Sequence, residues 1–321
     1  MKPSVFVARR IPEIAIELLS KSCDVRVHEG ALPPTRDELI QGVEGCHGIL
    51  SLLSDRIDDE VLDAAGSNLR VVSNFAVGFN NIDIAAANHR RIAVGNTPDV
   101  LTDSTADIAV ALMLSAARLL PKSAADARSG GWRTWEPLGW IGQDLRSKTL
   151  GIVGMGRIGE AVARRMHLGW GMDIVYTSRS PKSKVDAELK ARHVSLPELC
   201  KQSDFVSVHV ALSPDTNALI GAAEFEAMNA NAVFVNTARG EVVDQPALVE
   251  ALESKQIFAA GLDVCTPEPL PLEHKLFSLD NCIVVPHIGS ATIQSRNAMA
   301  TRAAENILAG LAGKPLPYPV N

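Results

Sequence analysis

The stretch "KTLGIVGMGRIGEAVARRM", Lys148 to Met166, decides the fold. The apolar run "TLGIV" leads into Gly154-Met155-Gly156-Arg157-Ile158-Gly159 and then into a helical pattern. A G-x-G-x-x-G pattern is weak evidence alone. Between a strand and a helix, each glycine has its own physical task. Gly154 allows the tight turn, Gly156 lets the backbone approach a pyrophosphate, and Gly159 lets helix and strand pack closely. The helix start then offers N–H groups and the positive end of its dipole to phosphate. The pattern predicts a dinucleotide-binding unit with a parallel sheet; the competing interpretation is a merely structural glycine turn.

The second strand of such a unit usually ends in Asp or Glu, which holds the adenosine ribose 2′-OH. Here "DIVYTSRSPKSK", Asp173 to Lys184, starts with its acid and ends with none where one is needed. Ser178, Arg179, Ser180 and Lys182 occupy that place. A carboxylate would repel a 2′-phosphate, whereas Arg and hydroxyl groups can bind it through charge-assisted hydrogen bonds. The turn therefore predicts NADP(H) in preference to NAD(H). The alternative is a solvated basic turn.

Working outward, short apolar runs alternate with helical patterns, the mark of a parallel α/β fold. Before the fingerprint, "SVFVA", "DVRVH", "GILSLL", "LRVVSNF" and "RIAVGN" read as strands. After it come "DIVYTS", "FVSVHV", "AVFVNT", "AAGLDV" and "CIVVPH". Ser104 and Asp107 suggest a capping box opening one long helix, apolar nearly all round and so expected to be buried between domains. From Ile288 onward, one further helical pattern is long enough to return to the first domain. The segment about 118–146 holds Trp132, Trp135 and Trp140, and an exposed arm is one reading of it.

With 321 residues there is room for two cores. The net charge of -6 speaks against a nucleic-acid partner. Five scattered cysteines suit reduced thiols in a cytoplasmic protein, not a disulfide framework or a metal site. No apolar run approaches the ~18 residues of a membrane span. The chain ends soon after "ILAGLAGKPLPYPVN", so no regulatory extension is expected.

Three polar residues follow successive strands of the second domain: Arg239, Glu268 and His287. Singly, each could be a salt-bridge partner, a loop acid or a structural histidine. Together they supply a cation for a carboxylate or carbonyl, a proton donor, and an acid to orient that donor and raise its pKa.

At these residues the chain resembles the D-2-hydroxyacid dehydrogenase family, and within it the glyoxylate/hydroxypyruvate reductases. The motifs "VVSNFAVGFNNID", "NTPDVLTDSTAD", "GIVGMGRIG", "VFVNTARGEVVD", "GLDVCTPEPLP" and "PHIGSAT" occur in the family's order and span nearly the whole chain. The resemblance implies two Rossmann-like domains with a cleft between them. Residues 1–100 with 288–321 would be a flavodoxin-like substrate domain, and 101–287 the dinucleotide-binding domain, with an arm at about 118–146 embracing a second copy in a homodimer. It implies NADPH-dependent reduction of small 2-keto acids. His287 would be the acid/base, kept protonated by Glu268, and Arg239 would bind the substrate carboxylate and polarise the keto group. Val77 and Gly78 would grip that carboxylate through main-chain N–H groups. Thr105, Arg157, Ile158, Ala211, Thr237, Asp263 and Gly289 would line the cofactor site, and Trp140 would reach the partner's pocket.

Leu53 reads as an apolar wall beside a small substrate, and nothing offers an added cation for a substrate phosphate. Other readings are a relative of the same fold that takes bulkier keto acids, and a dinucleotide-sensing binding protein like the corepressors of this fold. A third makes Cys265 a nucleophile.

Overall fold

A computed structural model describes residues 2–321. The chain forms two units, Met1–Leu101 with Ala291–Asn321, and Thr102–Ser290.

In the first unit, β1 (Ser4–Val7), β2 (Asp24–Val27), β3 (Gly48–Ser51), β4 (Val71–Asn74) and β5 (Ala93–Gly95) form a parallel sheet ordered β2-β1-β3-β4-β5. Side chains alternate across the pleat. Val5 and Val7 join one core with Met299, Ala300, Ala303 and Ala304 of the helix Ile293–Leu311. Phe6 and Ala8 join the other core, with Leu39, Val43, Val61 and Leu62. Both faces are covered, which is why these strands read as near-continuous apolar runs. The C-terminal helix starts at Ile293, not Ile288. Thr292 caps it by accepting from Ser295 N at 3.0 Å, and residues 288–289 are held by Asp263 instead.

The second unit contains β6 (Thr149–Val153), β7 (Asp173–Thr177), β8 (Arg192–His193), β9 (Phe205–Val208), β10 (Val233–Asn236), β11 (Ala259–Leu262) and β12 (Cys282–Val284). Its order is β12-β11-β10-β9-β6-β7-β8, all parallel. The chain steps outward from β6 to β8, then crosses back to lay β9 on the other side of β6. That reversal is the topological switch point, where open α/β sheets leave a crevice at their carboxyl edge.

The expected long helix is two, Thr102–Ala117 and Leu120–Arg128. Leu119 between them is left-handed (φ 48°), and Pro121 then opens the second helix. Ser104 lies inside the first helix, so the expected capping box is not formed. Asp107 is instead bound by Arg165, as is Asp103, each at 2.8 Å. Within its unit this helix packs on β10, β11 and the helix Arg157–Trp170. Among the described residues no single helix is long and apolar enough to cross a membrane; Thr102–Ala117 and Leu120–Arg128 pass that test only as a pair bent by 61°.

Candidate active site

At the end of β6, Gly154 has φ +100°, and a Cβ there would lie 2.8 Å from Val210 N. A Cβ on Gly159 would lie 2.3 Å from Gly154 O, so the helix Arg157–Trp170 approaches its own turn as closely as glycine permits. Gly156 differs: nothing lies within 4 Å of a Cβ placed there. It is the N-cap of that 14-residue helix and brings no side-chain cap. The open cradle and the uncapped helix start therefore fit the pyrophosphate of a dinucleotide.

β7 ends in the turn of interest. Ser178 Oγ donates to Ser180 O at 2.7 Å, so this hydroxyl braces the turn. Tyr176 Oη accepts from Lys182 N at 2.6 Å and donates to Asp186 at 2.7 Å. His193 Nε2 lies 2.9 Å from Ser178 O. The nearest downstream carboxylate is thus tied to Tyr176. Arg179 is exposed, and no hydrogen bond or ion pair within the described residues engages it.

Beyond β10, β11 and β12 lie Arg239, Asp263, Glu268 and His287. Asn236 shapes the first of these turns: its Oδ1 accepts from Ala238 N at 2.9 Å and its Nδ2 donates to Arg239 O at 2.8 Å. Burial pulls the Arg239 guanidinium below its ordinary value, countered by the charges of Glu268 and Glu241; an arginine remains charged throughout. Glu268 Oε2 lies 2.9 Å from His287 Nδ1, and Glu268 Oε1 accepts from Cys265 N at 3.0 Å. Burial pushes the Glu268 carboxyl up, but His287, the Cys265 N–H and Arg239 together hold it below the usual carboxylate range. The pair is reachable from solvent, with side chains 29% (His287) and 41% (Glu268) exposed.

Asp263 is buried and accepts from Ile288 N at 2.6 Å and Gly289 N at 2.8 Å. Thr105 Oγ1 donates to Gly289 O at 3.2 Å. Thr237 Oγ1 lies 3.4 Å from His209 Nδ1, and Ala211 O accepts from Thr216 Oγ1 at 2.7 Å. Ile158 stands in the first turn of the fingerprint helix, beside Arg157. Burial pushes the Cys265 thiol up to about 12, which disfavours the thiolate that a nucleophilic cysteine needs.

In the first unit, Asn96 Nδ2 donates to Val77 O at 2.7 Å and Asn74 Nδ2 to Gly78 O at 2.8 Å. No hydrogen bond within the described residues uses the N–H of Val77 or Gly78. Leu53 is exposed in the turn after β3. Trp140 Nε1 donates to Asp126 of its own chain at 2.7 Å.

Two contributors escape the sequence reading. Asn236 has a local signal, an Asn bonding the N–H two residues on, as in turns. Gln245 has none, because its partner Thr266 is 21 residues away.

Residues 110–289 match the family model described as D-isomer specific 2-hydroxyacid dehydrogenase, NAD binding domain. Human glyoxylate reductase/hydroxypyruvate reductase is 47% identical over 315 residues, 98% of this chain and 96% of that protein. A crystal structure from Thermus thermophilus superposes with a TM-score of 0.92 at 45% identity, covering 99% of this chain and 100% of that one. An NADPH-dependent glyoxylate/hydroxypyruvate reductase from Sinorhizobium meliloti, solved with NADP and malonate, gives 0.85 at 32% identity, covering 100% and 97%. With likeness over the whole length and a fingerprint, turn and histidine–carboxylate pair at one sheet edge, this chain is an oxidoreductase belonging to the D-isomer specific 2-hydroxyacid dehydrogenase family.

Proposed function

We propose that this chain reduces glyoxylate and hydroxypyruvate with NADPH, using His287 as the proton donor. The observation that carries this reading is the His287–Glu268 pair at the carboxyl edge of β11 and β12. Glycolate and D-glycerate are the products. A dinucleotide held at the glycine turn would supply the hydride that the keto carbon takes up. Negative charge then builds on the keto oxygen. Glu268 occupies His287 Nδ1, so Nε2 is the nitrogen that carries the transferable proton. Proton delivery completes the hydroxyl, and Arg239 binds the substrate carboxylate and offsets charge on the oxygen.

Preference for NADPH is supported by the acid-free turn, where Arg179 stands exposed with Ser178, Ser180 and Lys182 beside it. The Sinorhizobium meliloti relative, described as NADPH-dependent, points the same way. Thr105, Gly154, Gly156, Arg157, Ile158, Gly159, Ala211, Thr237, Asp263 and Gly289 complete the proposed cofactor set. From the first unit, Val77, Gly78 and Leu53 are taken as substrate contacts on the resemblance. The unused N–H groups of Val77 and Gly78 suit a carboxylate. The segment 118–146 is taken as the contact between two copies, with Trp140 beside the other copy's substrate. Exposed Trp132, Trp135 and Leu138 support that. Five free cysteines support a cytoplasmic setting.

One assay tests the whole. The purified protein is mixed with NADPH or NADH and glyoxylate, hydroxypyruvate, pyruvate or bulkier keto acids, and nicotinamide absorbance is followed. Fast oxidation of NADPH by the two small acids is expected. Absence of turnover with every acid removes the enzyme reading, and a preference for NADH removes that of the turn.

A further inference from the structure

Gln245 is the first residue of the helix Gln245–Glu253, which Asp244 caps by accepting from Ala247 N at 3.2 Å. Its side chain is nearly buried, at 9% exposure, and meets the main chain of Thr266 twice. Oε1 accepts from Thr266 N at 2.9 Å, and Nε2 donates to Thr266 O at 2.6 Å. One partner is a donor and the other an acceptor, so the orientation of the amide is fixed by chemistry. His274 Nε2 lies 3.2 Å from the same Nε2 and, with His274 Nδ1 accepting from Leu276 N, adds no acceptor for it.

Gly240 presses on the same segment from the Arg239 turn. A Cβ there would lie 2.1 Å from Cys265 O and 2.5 Å from Thr266 Oγ1. The segment so gripped carries the Cys265 N–H, which donates to Glu268 Oε1; Glu268 Oε2 in turn meets His287. Each Glu268 oxygen therefore has one partner, and the first depends on where the 265–266 main chain lies. A cavity of about 820 Å³, lined by Gln245, Thr266, Pro267, Pro271 and His274 among others, opens beside this turn. Without the Gln245 clamp, the turn has room to relax.

We propose that Gln245 is a positioning residue for the acid–base pair: by clamping Thr266 it fixes the Glu268 carboxylate on His287. This rests on His287 being the proton donor. Gln245→Met keeps the length of the side chain and removes both bonds. In the full chain, kcat, KM and the pH profile of reduction are measured for Gln245→Met, Glu268→Gln, the double variant and His287→Gln. Thermal unfolding establishes that each is folded at the assay temperature. Gln245→Met is expected to lower kcat about tenfold, a coupling typical of bonded neighbours, with KM for NADPH unchanged. Its basic limb should move toward that of Glu268→Gln, and in the Glu268→Gln background it should add no further loss.

Wild-type kcat and limb in Gln245→Met, with Glu268→Gln impaired, overturn the inference alone. So do losses that multiply in the double variant, because Gln245 would then act elsewhere. Wild-type behaviour of Glu268→Gln overturns the inference alone, because Gln245 then fixes nothing that matters, whereas wild-type turnover of His287→Gln overturns the proton-donor reading and the inference with it.

Discussion

Asp263 holds His287 in place from both its main chain and its side chain. His287 N donates to Asp263 O at 3.0 Å, and the carboxylate receives the next two N–H groups, of Ile288 and Gly289. His287 itself is left-handed, with φ 53°. A non-glycine residue there costs about 1–2 kcal/mol and persists where neighbours over-determine the backbone. Three consecutive bonds from one aspartate do so. They fix the backbone that carries the imidazole.

Asp263→Asn tests that brace. An amide oxygen accepts one of the two N–H groups, while its NH₂ would face the other, donor against donor. A buried unpaired N–H costs about 1–3 kcal/mol, so a fall of several degrees in Tm is expected. Turnover should fall as well, because His287 loses its bearing. Asp263 is 2% exposed, and burial pushes its carboxyl up against the pull of Ile288 N–H, the His287 charge and Gly289 N–H. Unchanged Tm and kcat in the variant would leave Asp263 without the bracing role.

The two members of the pair should fail differently. His287→Gln removes the transferable proton and should cut kcat by about 10²–10⁴, the usual contribution of a general acid. KM for the dinucleotide should change little. Glu268→Gln keeps the shape and removes the charge facing His287 Nδ1. Turnover should fall while KM for the dinucleotide changes little. The Glu268 carboxyl titrates below its ordinary value, so its contribution is full above the unfolded-state value and is lost as pH falls through the lower folded one. Stability of wild type relative to Glu268→Gln should therefore decline only in strongly acidic buffer. Coincident pH profiles for the two proteins would contradict this.

The glycines of the fingerprint should separate fold from binding. Gly159→Ala forces a Cβ to within 2.3 Å of a backbone oxygen, and overpacking of that kind costs about 1–3 kcal/mol. Gly156 has φ -86° and ψ -168°, extended backbone open to any residue, and an empty space in front of it. Gly156→Ala should leave Tm of the cofactor-free protein almost unchanged while raising KM for NADPH. Equal losses of Tm in both variants would count against Gly156 facing the dinucleotide.

Most of the sheet could be read from the sequence, because strands covered on both faces are runs of Val, Ile, Leu and Phe. β8 could not: Arg192 and His193 are two exposed residues at an edge, with no apolar period. The break at Leu119 carried one sign, Pro121 two residues on, although the left-handed backbone of Leu119 itself had none. Arg239, Glu268 and His287 were visible as polar residues that end apolar runs. The long-range bonds that orient them were not. Asp263 acts through main-chain atoms 25 and 26 positions on, and Gln245 through Thr266, 21 positions on. Contacts of that range follow only from the parallel crossovers that bring separate turns to one edge.

The turn after β7 supports the last prediction. Ser178, Lys182, Tyr176 and His193 bond within the turn and its backing, so its shape does not depend on Arg179. Arg179 can thus be replaced without loss of fold, and its charge is available to a 2′-phosphate. Ser178→Asp with Arg179→Ala places a carboxylate where the ribose 2′-OH is usually read and removes the cation. A charge-assisted bond is worth about 1.5–3 kcal/mol, so the ratio of kcat/KM for NADPH over NADH should fall about 10²-fold. Most of that change should come from a higher KM for NADPH, because the carboxylate repels the phosphate before any chemistry occurs. Loss of the Ser178 to Ser180 bond adds a small cost to both dinucleotides and cancels in the ratio. An unchanged ratio, with Tm intact, would make this turn a solvated surface and move the recognition of the cofactor elsewhere.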